Sequence, residues 1–245
     1  MEFRYKRLCR LGMNVHKQAG GAFLILSVRG GNVFKDRVDA GRRLAGKLVP
    51  YSEGEGIVLA IPRGGVVVGY EIARRLGYLM DLIIPRKIGS PHNSEVAIGA
   101  VTQDGTCIVD HRLVNLLGVT RTELEEKKND EVREIKRRMN LYGAGRMLRR
   151  FQGGQLILVD DGVATGHTML AALRTARNYQ PEELIVAVPV APRDTLETLK
   201  KEADRVVCLL VPECFYAVGQ YYEEFDQVED FEVGEILREL QEQGV

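Results

Sequence analysis

Short apolar runs alternate along the chain with longer stretches in which apolar and polar positions mix at helical spacing. The runs Ile57–Ile61, Met80–Ile84, Leu156–Val159, Leu184–Pro189 and Val206–Val211 are rich in Val, Ile and Leu. Near-continuous apolar runs of this kind predict strands buried on both faces, as in a parallel sheet covered by helices. Val66–Leu76, Thr168–Tyr179 and Arg193–Glu202 have the length and composition of helices, and the first two open directly after glycine-containing loops. Phe34–Leu48 reads as a further helix with Asp36 as its cap. The predicted class is therefore α/β, an open, mostly parallel sheet flanked by helices.

Between the second and third strands lies an excursion, Pro85–Gln155, that a bare crossover does not need. Its first part, Gly89–Asp110, sets the short apolar groups Ala97-Ile98 and Cys107–Val109 among glycines, and predicts a loop followed by a hairpin. Its second part, Leu113–Asn140, is charged, with apolar residues at Leu113, Leu116, Leu117, Leu124, Val132, Ile135 and Met139. That spacing predicts a helix broken near Gly118. Tyr142–Arg146 and Gly153-Gly154 then bracket a basic, glycine-rich loop.

Composition adds mainly exclusions. The 245 residues are 45% hydrophobic and 28% charged, an ordinary globular balance. The longest N-terminal apolar run, Ala22–Val28, is far below the roughly 20 residues of a membrane span and lacks a cleavage site after it, so the expected location is the cytoplasm. Cys9, Cys107, Cys208 and Cys214 form no C-x-x-C pair and the four histidines no H-x-x-x-H, which points to neither a zinc site nor a disulfide framework. Net charge is zero but unevenly spread: residues 1–50 carry +8, residues 127–150 carry +6 and residues 212–245 carry −9. A basic segment could face an anionic substrate, pack on the acidic tail or form a solvated surface.

The chemistry concentrates at Leu156–Met169, an apolar strand ending in Asp160-Asp161, then Gly162–Gly166, then a helix. Ligands of parallel sheets bind where the carboxyl ends of strands open into a crevice, and a helix beginning there offers free N–H groups and a positive dipole end to a phosphate. Ala164 and Gly166 allow close approach of an anion, and Thr165 and Thr168 add hydroxyl donors. Two carboxylates beside a phosphate make sense if they face a neutral polyol. No G-x-x-x-x-G-K-[ST] occurs, and Gly64-Gly65 with Gly69 lacks the dinucleotide spacing.

Phosphate plus vicinal hydroxyls describes a 5-phosphoribosyl group, and here the chain resembles the type I phosphoribosyltransferases, closest to an uncharacterised branch of them. The segment D-D-x-x-A-T-G-x-T is similar to that family's signature. The resemblance implies that Asp160 and Asp161 hold the ribose hydroxyls of phosphoribosyl pyrophosphate (PRPP), and that Val163, Ala164, Thr165, Gly166, His167 and Thr168 bind its 5′-phosphate. It implies a pyrophosphate loop at Arg63-Gly64-Gly65, with a cis peptide at Pro62–Arg63. It implies pyrophosphate contacts from Arg86 and Lys87 ahead of a closing loop, in which His92 and Glu95 are candidate acid or base groups, with Arg146 an outside candidate. Arg63, Arg86 and Lys87 are then the catalytic cations, stabilising charge on the leaving group.

The resemblance runs from about Phe34 to the C-terminus. It divides the chain into an extension over 1–33 and a domain over 34–245, with an insertion at 88–155 and a hood at 212–245. Phe215 and Tyr216 in the hood are the candidates for stacking on an acceptor, whereas Tyr221, Tyr222 and Phe225 read as packing. Some purine enzymes of the family carry a carboxylate where this chain has Ala164, so a 6-oxopurine is disfavoured and the turn is nearer to the adenine enzymes. The implied reaction is phosphoribosyl transfer from PRPP to a nitrogenous acceptor with release of pyrophosphate. The implied cofactor is Mg2+ with no direct protein ligand, and the implied assembly is a homodimer without membrane or nucleic-acid partner. Two other readings stand beside it. One is a PRPP-sensing regulator binding nucleic acid through Arg133–Arg150; the other is a hydrolase or phosphorylase of a phosphoribosyl compound.

Overall fold

The computed structural model describes residues 13–16, 25–28, 33–52, 54–148, 151 and 153–242. Two N-terminal strands, β1 (Met13–His16) and β2 (Ile25–Val28), precede helix α1 (Arg37–Leu48). Then come β3 (Gly56–Ala60), α2 (Gly64–Leu76), β4 (Leu79–Leu82), β5 (Arg86–Ser90), β6 (Asn93–Val101), β7 (Cys107–Val109), α3 (His111–Leu116) and α4 (Arg121–Tyr142). The second half runs β8 (Gln155–Val159), α5 (His167–Arg177), β9 (Glu183–Val190), α6 (Arg193–Leu199), β10 (Arg205–Leu210), a 3-10 turn (Val218–Tyr221) and α7 (Asp230–Glu242).

The main sheet has the order β1-β2-β10-β9-β8-β3-β4. Its five strands from β10 to β4 are parallel, β2 joins β10 parallel at Leu26 and Leu210, and β1 runs antiparallel at the edge. The five apolar runs are these five strands. Side chains alternate across the sheet. Val58, Ala60, Ile157 and Val159 face a core shared with α1, α2 and α7, while Ile57, Leu59, Leu156 and Leu158 face one shared with α5 and α6. Fully burying each of the Val, Ile and Leu side chains among them stabilises the fold by about 1.5–3 kcal/mol, which makes the sheet the rigid frame of everything at its edge. No helix among the described residues is long and apolar enough to cross a membrane.

Local signals account for the helix ends. The Asp36 side chain accepts from the Asp39 N–H at 2.7 Å, capping α1. Gly118, with φ of 65°, stops α3, and Thr120 and Glu123 form a reciprocal capping box that restarts the chain as α4, so the expected break is real. The closing loop expected after Arg86 and Lys87 is not. Arg86 pairs with Val101, and β5, β6 and β7 form a separate three-stranded antiparallel sheet in which residues 91 and 92 make only a tight turn. Gly89 and Gly99, within the segment expected as a loop followed by a hairpin, both lie inside strands. A Cβ on Gly89 would sit 2.8 Å from the Ser94 carbonyl oxygen, and one on Gly99 would sit 2.3 Å from that of Ile108. These glycines permit close strand approach rather than turns.

The small sheet docks on α5 through Asp104. Its carboxylate takes hydrogen bonds from Thr102, Thr106, Thr175 and Asn178. Desolvation pushes this acid up, but the bonds from Thr102, Thr106 and Asn178 outweigh it and hold the carboxyl below its ordinary value. The glycine-rich loop after α4 is organised by buried Asp81, which accepts from the N–H groups of Gly145, Met147 and Leu148 at 2.6, 2.9 and 3.0 Å.

Candidate active site

Strands β3 and β8 lie side by side with Ala60 opposite Val159. From β3 the chain crosses to β4 on one side, and from β8 to β9 on the other. A crevice therefore opens between their carboxyl ends, where open α/β sheets bind ligands. Ile61–Gly65 and Asp160–Thr168 meet at that edge.

Asp160 and Asp161 follow β8 directly. The Asp161 N–H donates to Asp160 Oδ1 at 2.9 Å, and the Tyr222 hydroxyl donates to the Asp161 carbonyl oxygen at 2.5 Å. Arg37, the first residue of α1, donates from Nε to Asp161 Oδ2 at 2.7 Å. Desolvation at the strand end, and after it the charge of Asp161, pushes the Asp160 carboxyl well above the ordinary carboxylate range. Burial and the same charge push the Tyr222 phenol up, so it remains a donor at neutral pH.

The loop after β3 is pressed against this pair. A Cβ on Gly64 would lie 1.9 Å from Asp161 Oδ2, and one on Gly65 would lie 2.9 Å from the Asp160 Cα. Neither position admits a side chain without movement of the acids, which is why two glycines stand there. The Pro62–Arg63 peptide is cis. The Arg63 guanidinium does not face open solvent: Nη1 is 3.5 Å from Glu229 Oε2 and 3.7 Å from Asp230 Oδ1, at the entry to α7.

The turn after β8 is held from behind and open in front. The Val163 N–H donates to the Val190 carbonyl oxygen at 2.9 Å, and the Thr195 hydroxyl donates to that of Ala164 at 2.6 Å. Gly166 caps α5 with φ of 80°, a conformation that suits glycine. Among the described residues, none accepts from the N–H groups of Ala164, Thr165, Gly166, His167 or Thr168. Ala164 and Thr165 are exposed, and His167 and Thr168 half-buried. Such a helix end, with donors free and a positive dipole end, is suited to a dianionic phosphate.

The other sequence candidates have no hydrogen bond or ion pair to this cluster among the described residues. Arg86 pairs with Glu131 of α4, Lys87 is exposed on β5, and no contact joins either to the acid pair. His92 is exposed in the β5–β6 turn, and Glu95 lies on β6. Arg146 lines a small cavity of about 20 Å³ with Asp81, Tyr142 and Leu237. Phe215 stacks on Tyr221 at 5.7 Å between ring centroids, while Tyr216 is 88% exposed. Tyr221 and Tyr222 are buried, in keeping with packing. Three residues of the site escape the sequence reading: Arg37, Tyr222 in its bond to Asp161, and Thr195. For Arg37 a signal exists, because it is a cation at the first position of a helix, where the dipole opposes it.

Three cations of the expected basic stretch Arg133–Arg150 are paired within α4. Arg133 bonds Asp130, and Arg137 and Arg138 both bond Glu134, whose carboxyl those hydrogen bonds lower to about 2. Arg149 and Arg150 lie outside the described residues.

The family model described as "Phosphoribosyl transferase domain" matches residues 32–226, from just ahead of α1 through the acid pair to the hood. The chain belongs to the type I phosphoribosyltransferase family. Two relatives from Mycobacterium tuberculosis, named "Putative phosphoribosyl transferase Rv0571c" (strain H37Rv) and "Putative phosphoribosyl transferase MT0597" (strain CDC 1551), are each 37% identical over 201 residues. That match covers 82% of this chain and 45% of each relative, so the chain spans about half the length of the curated relatives it matches. The crystal structure of TT1426 from Thermus thermophilus is 39% identical and superposes with a TM-score of 0.70 over 85% of this chain and 99% of that one. The phosphoribosyltransferase fold follows from this membership and from the superposition.

Proposed function

We propose that this phosphoribosyltransferase uses PRPP as donor and a nitrogenous base or small amine as acceptor. The observation that carries the reading is the convergence, at one crevice, of an acid pair, an open helix N-terminus and an arginine-glycine loop. In this reading the free N–H groups of Ala164–Thr168 take the 5′-phosphate, Asp160 and Asp161 accept from the ribose hydroxyls, and Arg63 with the Gly64 and Gly65 backbone meets the pyrophosphate. The acceptor nitrogen attacks C1 as the C1–O bond breaks, and that electron pair leaves with pyrophosphate. Arg63 opposes the charge that builds there, and Arg86 and Lys87 join it if β5 moves toward the crevice. When bound, Mg2+ would neutralise pyrophosphate charge, with substrate oxygens and water filling its shell and the charges of Asp160 and Asp161 helping to hold it without direct ligation. Tyr216, exposed in the hood, is the aromatic we assign to the acceptor side, and the cytoplasm is the location this chemistry suits.

The test is a melting scan with PRPP and Mg2+, followed by a screen of purines, pyrimidines and small amines for pyrophosphate release. A ligand at about 100 times its dissociation constant adds roughly 2.7 kcal/mol, or on the order of 5–10 °C for a domain of this size. The Asp160→Asn, Asp161→Asn double variant should lose most of that shift. An unchanged shift in the variant would remove the acid pair from ribose binding, and none in wild type would overturn the reading.

A further inference from the structure

We infer that Arg37 is a positioning residue that commits one oxygen of Asp161 and so aims the other at the ribose. The inference rests on the PRPP reading above. Its physical basis is a guanidinium fixed from three directions by segments remote in sequence. Nε donates to Asp161 Oδ2 at 2.7 Å, Nη1 donates to the Asp226 carbonyl oxygen at 2.7 Å, and Cζ stands 3.8 Å above the centre of the Phe225 ring. The side chains of Arg37 and Asp161 are only 12% and 15% exposed, so this is not a surface pair whose members drift in solvent.

Three consequences follow from that arrangement. The Arg37 fork is directional and permanently charged, so it sets the carboxylate's rotation as well as balancing its charge. Oδ2 is also hemmed in by Gly64, where an added Cβ would come within 1.9 Å of it and 2.8 Å of Arg37 Nε, so Oδ1 is the oxygen this inference gives to a hydroxyl. Finally, Asp161 stands beside Asp160, and two adjacent carboxylates at a partly desolvated strand end require a cation if both are to serve as acceptors. Among the described residues, Arg37 is the cation paired with Asp161.

The inference separates ligands that contain ribose from those that do not. Calorimetry with PRPP, ribose 5-phosphate and inorganic pyrophosphate, each with Mg2+, is the test. Arg37→Gln should weaken PRPP and ribose 5-phosphate by about tenfold or more while changing pyrophosphate less than twofold, since losing a charge-assisted bond costs about 1.5–3 kcal/mol. Arg37→Lys should recover part of the loss, because it restores charge without the fork. Phe225→Leu, which keeps the arginine but removes its platform, should show the same ribose-selective loss at a few-fold and decides the matter if Arg37→Gln does not fold. Equal losses for all three ligands would mean a merely structural arginine and overturn the inference. So would unchanged affinities in Arg37→Gln. Wild-type protein that binds pyrophosphate but neither ribose ligand would overturn the PRPP reading itself.

Discussion

Two strand-to-helix turns stand next to each other at the sheet edge, and they are prepared for ligands in opposite ways. The turn after β8 is complete as it stands: Val190 and Thr195 anchor it from behind, and the N–H groups of Ala164–Thr168 have no partner among the described residues. The turn after β3 is already engaged with the protein. Its glycines press on Asp160 and Asp161, and its arginine lies against Glu229 and Asp230. The first turn is preorganised and costs little to fill. In the PRPP reading proposed above, the second must exchange protein carboxylates for ligand oxygens, so its affinity would depend on the acidic entry to α7.

The sharpest way to break this contrast is to fill the space between the turns. Gly64→Ala forces a methyl group into contact with Asp161 Oδ2 and Arg37 Nε. PRPP affinity should fall by roughly 10- to 100-fold, given the usual 1–3 kcal/mol of an overpacked contact. Gly46→Ala is the matched control: it lies within α1 with nothing near its added Cβ, and should raise stability by about 1 kcal/mol. Titration measurements together with melting scans on both variants check the pair of outcomes, and equal PRPP affinity in the two would show that the turns do not need their close contact.

The next effect concerns the acid pair in the unliganded protein. Asp160 holds its proton more tightly folded than unfolded, so stability declines as pH rises from the ordinary value of 3.8 through the raised one. Asp160→Asn removes that titration. Its melting temperature should vary less over that window and exceed the wild-type value at neutral pH; parallel pH curves would contradict the assigned environment. Smallest is the effect of releasing Arg63. The Glu229→Gln, Asp230→Asn double variant should bind inorganic pyrophosphate a few-fold more tightly, with the gain shrinking as salt is added, because the pairs are partly exposed. An unchanged affinity at low salt would mean that these carboxylates do not compete.

How far the molecule was legible follows the same division. The five central strands and the turn after β8 could be read because their evidence is consecutive: apolar runs, then two acids, then small residues opening a helix. The capping of α1 by Asp36 and the break at Gly118 rest likewise on local chemistry. The β5–β6 hairpin looks like a loop in sequence because glycine reports close approach and turning with the same letter, and only the position of Ser94 and Ile108 across the strands distinguishes them. Arg37 is 124 residues from Asp161 and 189 from Asp226, so nothing in its own neighbourhood announces the partner. The engagement of Arg63 by Glu229 and Asp230 was hidden for the same reason.

The parallel bridge between Phe34 and Tyr222 carries a consequence for how the molecule is made. The N–H groups of Val33 and Phe34 both donate to the Tyr221 carbonyl oxygen at 3.0 Å, and Phe34 and Tyr222 stack at 5.2 Å between ring centroids. Contacts of such sequence separation form only after the intervening chain has been brought together, and they carry the largest loop-closure entropy. During synthesis the strand and turn of β8–α5 emerge from the ribosome well before residues 221–230, which seat Arg37 and flank Arg63. A nascent chain therefore carries a shaped turn after β8 before Arg37, the partner of Asp161, has its own support from Phe225 and Asp226.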